Sequence, residues 1–202
     1  MKKTKNLERK NRRKENVVLI QFDISGFTSY SSYHESRGEE DIVFDLTDRI
    51  IDDGIILIKE YGGNPRNPTG DGYISTFPPS ECEAALETAL ELHRLAEELR
   101  KAEDSPKRDL YLKVALHKQM TLFKRFKGER KYTPFGTASS TVGRIEQYAR
   151  PGETLASEPV IETVRDRFAL EKMPGVYLKG LGHHNTIYRV LGKAVNDQLY
   201  KQ

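Results

Sequence analysis

The run Val17-Val18-Leu19-Ile20 leads straight into Phe22-Asp23-Ile24-Ser25-Gly26-Phe27-Thr28. Four apolar residues in a row read as a buried strand. The strand ends on a carboxylate, and a turn of small residues follows it. Asp23 offers the charged oxygens that a hard cation takes as ligands. Ser25 and Gly26 let the backbone turn tightly, so that successive N–H groups can face an anion before the next helix begins. An Asp-x-x-Gly at a strand end is also a plain turn, and taken alone it carries no chemistry.

A second stretch bears on the first. Thr69-Gly70-Asp71-Gly72 precedes Tyr73-Ile74-Ser75-Thr76-Phe77, which has strand character. Asp-Gly between extended segments is a hairpin signal, and as a bare turn it needs no function. The same tip can bring Asp71 against the end of the first strand. Two carboxylates converging there would suit a pair of cations acting on phosphorus.

Together these segments resemble the catalytic domain of the class III adenylate and guanylate cyclases. FDISGFT is similar to that family's first metal motif, and GDGYISTF to its second-carboxylate hairpin. Tyr132-Thr133-Pro134-Phe135-Gly136, followed by Ser140, Arg144, Ile145 and Glu146, resembles the substrate loop and the helix of transition-state residues. Pro151-Gly152-Glu153-Thr154-Leu155 and Leu178-Lys179-Gly180-Leu181-Gly182 are similar to the closing segments. The motifs run from about Asn16 to Leu191 in the family's order, which outweighs any one of them.

The resemblance implies a ferredoxin-like α+β core, an antiparallel sheet with packed helices. It also implies that a nucleoside triphosphate is converted to a 3′,5′-cyclic nucleotide and pyrophosphate. Asp23 and Asp71 would hold two divalent cations, Mg²⁺ or Mn²⁺, with help from the Ile24 carbonyl. The backbone of Ser25, Gly26, Phe27 and Thr28 would cradle the β- and γ-phosphates, and Lys179 would hold the terminal phosphates as a point charge. Arg144 would stabilise charge on the pentavalent phosphorus. The family's active site lies between two such domains, so a homodimer with shared sites is the simplest assembly.

The departures from the pattern concern the base and the sugar. Asn67 stands where the family has its purine-reading lysine, and Thr133 where adenylate cyclases have the partner acid. Ser140 replaces the asparagine that orients the ribose, and His117-Lys118-Gln119 replaces His-x-Gly. Asn67 and Thr133 each donate or accept, so neither purine is strongly specified. A small cyclase with rewritten base contacts resembles the bacterial anti-phage pyrimidine cyclases, which make cyclic UMP or cyclic CMP. UTP or CTP is therefore favoured over ATP or GTP. The alternatives are an adenylate or guanylate cyclase with relaxed base reading, or an inactive cyclase-like protein that binds nucleotide or a partner. Keeping Asp23, Asp71, Arg144 and Lys179 together argues for activity, because two carboxylates without cations repel each other.

The rest of the chain bounds these readings. At 202 residues, one domain is the natural expectation. The first fourteen residues hold eight Lys and Arg against Glu8, a formal +7 that leaves −4 for the remainder of a chain at +3. Residues 1–15 thus read as a solvated, disordered basic arm and 16–202 as the catalytic domain. The sharper reading of the arm, contact with nucleic acid or an anionic membrane face, has little aromatic interleaving behind it, so nucleic acid is not expected as a partner. No apolar stretch approaches the roughly 20 residues of a membrane helix, and no secretory signal is expected. A lone cysteine, Cys82, fits a reducing cytoplasm and reads as core packing. The five histidines lack zinc spacing, with His93 on an interior helix face and His183-His184 in a turn.

Helices are expected within Ser29–Gly38, Glu39–Tyr61, after Pro78-Pro79-Ser80, over Ala138–Tyr148 and over Val160–Phe168. Leu110–Leu122 alternates as one or two strands, with a charged linker before it and a basic hairpin over Phe123–Lys131. Short strands are expected near Thr154–Ala156, Ala169–Lys172, Val176–Lys179 and Thr186–Leu191.

Overall fold

The computed structural model describes residues 11–102, 107 and 109–194, with the backbone alone at 182–184. The chain runs β1 (Arg12–Ile24), α1 (Phe27–Glu35), α2 (Glu40–Thr47), a π-helical turn (Asp48–Asp52), α3 (Asp53–Glu60), β2 (Asn64–Pro68) and β3 (Gly72–Phe77). It continues through α4 (Cys82–Lys101), β4 (Leu112–Lys124), β5 (Thr133–Phe135), α5 (Thr137–Tyr148), β6 (Thr154–Ser157), α6 (Glu158–Ile161), a 3₁₀ turn (Arg165–Arg167), β7 (Phe168–Leu178) and β8 (Gly182–Lys193). The strands form one eight-stranded sheet in the order β2-β3-β1-β4-β6-β8-β7, with β5 paired to β4. Only β4 and β6 run parallel; the other pairs are antiparallel. This is the expected α+β architecture.

Strand alternation divides the apolar residues of β1 between two cores. Val18, Ile20, Phe22 and Ile24 pack with Leu46, Ile50, Ile58, Leu86 and Leu92 from α2, the π turn, α3 and α4. Val17 and Leu19 face the other way, with Ile74, Ala115, Leu155 and the α5 residues Val142 and Ile145. Asp23 continues this second series, so it lies on the α5 side of the sheet. Cys82 is fully buried against the first core.

Several boundaries differ from the sequence reading. β1 begins at Arg12, so residues 12–15 of the expected arm are sheet; residues 1–10 lie outside the described residues. The backbone ladder to β4, Arg12↔Lys124 through Asn16↔Met120, holds these polar residues in place, helped by Arg13 over the rings of Phe123 and Tyr132. The helix expected over Val160–Phe168 is one turn long, because Phe168 is taken by β7 and Arg165–Arg167 tighten into the 3₁₀ turn. The strands expected at 169–172 and 176–179 are one strand, interrupted by register shifts around Gly175. The helix expected over Glu39–Tyr61 carries the π turn at its centre. His183 and His184 lie in the β8 backbone, since the turn is made earlier by Leu181 N–H donating to the Leu178 carbonyl. β4 extends to Lys124, two residues into the expected basic hairpin. Lys101 ends α4, and most of the expected linker lies outside the described residues.

Candidate active site

β1 sits between β3 and β4, and this sets the surroundings of its last carboxylate. Asp23 is opposite Gly72 on β3 and Lys113 on β4. A Cβ on Gly72 would lie 2.1 Å from the Phe22 carbonyl oxygen and 2.9 Å from Asp23 Oδ1. Only glycine lets the hairpin close this tightly on the strand, and the closure brings Asp71 to Asp23. The two carboxyl groups hydrogen-bond each other.

Burial, then the charges of Asp71 and Glu146, push Asp23 up to about 7 against the pull of Lys113. Asp71 is also raised, chiefly by burial. Such a pair shares a proton. Hard oxygen donors that must otherwise hold a proton fit a divalent cation, which would replace the proton and relieve the repulsion. Among the described residues no group of three or more His, Cys, Asp or Glu side chains is placed to hold a metal.

The raised carboxyl makes a stability prediction. Well below pH 3.8 Asp23 is protonated in both folded and unfolded chains. As pH rises through 3.8 the unfolded chain loses the proton while the folded chain keeps it, so the stabilising contribution fades from there until pH passes about 7. Asp23→Asn, which keeps a donor toward Asp71, should therefore change Tm little near pH 4, where the loss has only begun, and raise it clearly at pH 8. The rise should be a few degrees, since the half-buried site is partly screened. A thermal melt with chelator at both pH values measures it. A lower Tm at pH 8 than wild type would contradict the shared-proton reading.

Beyond Asp23 the chain turns through Gly26, whose φ of 71° is the left-handed conformation that glycine accepts most easily. Gly26 is the N-cap of α1, and the first N–H groups of a helix have no intrahelical acceptor. Phe27 and Thr28 supply two of them. The Ser25 N–H is not available, because it donates to the Tyr111 carbonyl at 2.9 Å and extends the β1–β4 ladder by one bond. The expected cradle of Ser25–Thr28 is thus reduced to Gly26–Thr28.

α5 separates two sets of side chains. Two residues along a helix turn the chain by about 200°, so Glu146 and Arg144 face opposite sides. Glu146 is buried, with Oε1 3.7 Å from Lys113 Nζ, and it is one turn on from Gly143, which packs against Gln21 of β1. Burial also raises the Glu146 carboxyl, with Lys113 opposing. Arg144 lies over the turn between β7 and β8, where a Cβ on Gly180 would sit 3.2 Å from its Nη1. Lys179 is next to that glycine and exposed, and Ser140 is exposed one helical turn before Arg144. Arg144 is not among the charges acting on Asp23. The expected residues thus fall into two groups, Asp23–Asp71 with Gly26–Thr28 at the end of β1, and Arg144 over the β7–β8 turn with Ser140 and Lys179 beside it in the chain.

Asn67 is on β2 opposite Ile74, facing the α5 side. Its Nδ2 donates to the Pro68 carbonyl at 3.2 Å, and its Oδ1 is buried without a partner. Thr133 is opposite Lys124, while Pro134 is opposite Phe123 and Tyr132 packs with the α5-side core. Alternation turns Thr133 to the reverse side, so the register does not set it beside Asn67 on that face.

Lys113 is absent from the sequence reading, and Glu146 enters it only as the end of the helix motif, without a role. Their signals are weak: a lysine opening an alternating strand, and a glutamate on the buried side of an amphipathic helix. The described histidines are engaged separately, His34 with Glu39, His93 with Thr154, and His117 with Ser157 and Gln119. His93 is held down to about 4 by burial and stays neutral.

The sequence profile of the adenylate and guanylate cyclase catalytic domain matches residues 9–192. No curated protein sequence matches the chain. Among solved structures, the adenylyl cyclase CyaB from P. aeruginosa superposes with a TM-score of 0.77 at 18% identity, covering 92% of this chain and 98% of its own. The guanylate cyclase domain of RhGC from Catenaria anguillulae, solved with GTP, gives a TM-score of 0.77 at 17% identity, with 90% and 100% covered. The dimeric guanylyl cyclase domain of the RhoGC fusion protein from Blastocladiella emersonii gives 0.74 at 17%, with 90% and 99% covered. The fold repeats that of these cyclases, and the profile spans nearly the whole described chain: the protein belongs to the class III nucleotidyl cyclase catalytic domains.

Proposed function

We propose that the protein cyclises a pyrimidine nucleoside triphosphate to its 3′,5′-cyclic monophosphate in a homodimer with two shared sites. The observation that carries the reading is the Asp23–Asp71 pair, two hydrogen-bonded carboxyls held at elevated pKa beside a helix start. Bound there, two Mg²⁺ or Mn²⁺ ions would neutralise phosphate charge and acidify the attacking 3′ hydroxyl. Asp23, Asp71 and the Ile24 carbonyl would hold them. The N–H groups at Gly26–Thr28 receive the β- and γ-phosphates.

The partner chain supplies the rest. Its Arg144 bridges oxygens on the α-phosphorus, its Ser140 orients the ribose, and its Lys179 holds the terminal phosphates. Its Asn67 stands at the base-reading position, while Thr133, the expected second reader, is turned to the other side of the sheet. Sharing is favoured by Arg144 lying over the β7–β8 turn, while the charges acting on Asp23 are those of Asp71, Glu146 and Lys113. The Blastocladiella domain is described both as a dimer and as a monomer.

No helix among the described residues is long and apolar enough to cross a membrane. A cyclase working in the cytoplasm, whose pyrimidine product serves as an alarm signal in antiviral defence, is the biological setting proposed. The base is tested by competition: equimolar ATP, GTP, CTP and UTP with Mn²⁺, then with Mg²⁺, scored by cyclic product. Predominance of cyclic UMP or cyclic CMP is expected. Predominant cyclic AMP or cyclic GMP under both cations would sink the pyrimidine reading.

A further inference from the structure

β2 carries a bulge beside the base-reading position. Pro65 pairs with Ser75 and Asn67 with Ile74, so Arg66 is the extra residue between them. A bulge interrupts alternation and re-aims a side chain. Arg66 is accordingly on the same side of the sheet as Asn67. Its Nε donates to Thr76 Oγ1 at 2.8 Å, and its guanidinium lies over Phe123 at 5.0 Å.

Arg66 is also the end of a column. Arg13 stacks on the other contacts of Phe123 and Tyr132 at 5.1 and 4.4 Å, and Arg125 adds to Tyr132 at 5.5 Å. Three guanidinium groups alternate with two rings. Arg13 has a close ion pair with Glu15, whose charge also acts on Arg66 from farther off. With Nε fixed on Thr76, the Nη groups remain as a positioned donor fork.

Asn67 supplies the complement. Because its Nδ2 is committed to the Pro68 carbonyl, its Oδ1 is the group left over, a buried acceptor without a donor. An unsatisfied buried acceptor is costly, and a ring N–H would satisfy it. From the bulge and this pairing we infer that Arg66 and Asn67 together read a lactam edge of the base, with Arg66 donating to a carbonyl oxygen and Asn67 Oδ1 accepting from the adjacent ring N–H. This deepens the proposed function and rests on its assignment of β2 as the base-facing strand.

Uracil and guanine present a carbonyl beside a ring N–H. Cytosine presents a bare ring nitrogen to Asn67 Oδ1, which sets acceptor against acceptor. Adenine has no carbonyl for the Arg66 fork. Joined to the pyrimidine reading, the edge selects UTP over CTP. Oδ1 is covered in the chain as it stands, so receiving the base includes a rotation of the side chains around it.

The test is equilibrium binding of the four 3′-deoxynucleoside triphosphates, which lack the attacking hydroxyl, to the full chain with Mn²⁺. Tighter binding of the uracil or guanine compound than of the cytosine and adenine compounds is expected. N3-methylation of the uracil compound and Arg66→Leu should each reduce that preference by roughly ten-fold or more, the range of a hydrogen bond to a charged group. Arg66→Lys should recover part of it, which a purely structural arginine would not explain; melts of both variants exclude unfolding. Preference for the cytosine or adenine compound, equal binding of all four, no binding of any, or a preference unmoved by Arg66→Leu would each overturn the inference. A guanine preference that depends on Arg66 supports it and removes the pyrimidine reading. Selective binding without cyclic product from the ordinary triphosphates supports it and removes turnover.

Discussion

Co-expressed Asp23→Ala and Arg144→Ala chains are expected to recover about a quarter of the wild-type cyclase sites, assuming random pairing in a two-fold dimer. Each variant alone should be nearly inactive. Asp23 lies at the end of β1 and Arg144 over the β7–β8 turn, and the proposed dimer joins the one to the other across its interface. In a mixed dimer one site receives both substitutions and the other receives neither. The assay is cyclic product per mole of total chain in the unfractionated mixture; selecting mixed dimers through two different tags should raise the recovery to about half. Activity no higher than that of either parent would mean that the site is completed within one chain.

Asp71→Ala should lower cyclisation by about a thousand-fold, the scale of the several kcal/mol that metal-borne charge stabilisation contributes. Stability should be unchanged or raised with chelator present. The turn is closed by the Thr69 N–H on the Gly72 carbonyl at 3.0 Å, which does not involve the Asp71 side chain. Removing that side chain also lets Asp23 ionise with one fewer neighbouring negative charge. A large fall in Tm without metal would show that the carboxylate is structural. Gly72→Ala is the contrasting change, because its Cβ would collide with the backbone of Phe22 whatever the metal.

Asp23 and Asp71 were legible because each sits at a punctuation mark: the end of an apolar run and an Asp-Gly hairpin tip. Local sequence encodes both, and the family's order of motifs supplied the rest of the fold. What stayed hidden depends on pairing across the sheet. Arg12–Glu15 reads as a charged tail, and only the ladder to β4 makes it a strand. Lys113 becomes a neighbour of Asp23 through the same register, and Glu146 joins it through the docking of α5. The Ser25 N–H was expected in the phosphate cradle, yet its acceptor, the Tyr111 carbonyl, is 86 residues away by numbering and invisible locally. Arg66 is not legible beside Asn67 in the sequence, because strict alternation would turn neighbours to opposite faces and the bulge that reverses this is a feature of the β2–β3 pairing.

Cyclase turnover itself is tested most directly by product identity. The full chain is incubated with each of the four nucleoside triphosphates in Mn²⁺ and in Mg²⁺, and the products are read by mass spectrometry. A 3′,5′-cyclic monophosphate together with pyrophosphate from at least one substrate, lost in Asp23→Ala, is the result expected. A folded chain that yields no cyclic nucleotide from any of the four with either cation would contradict it.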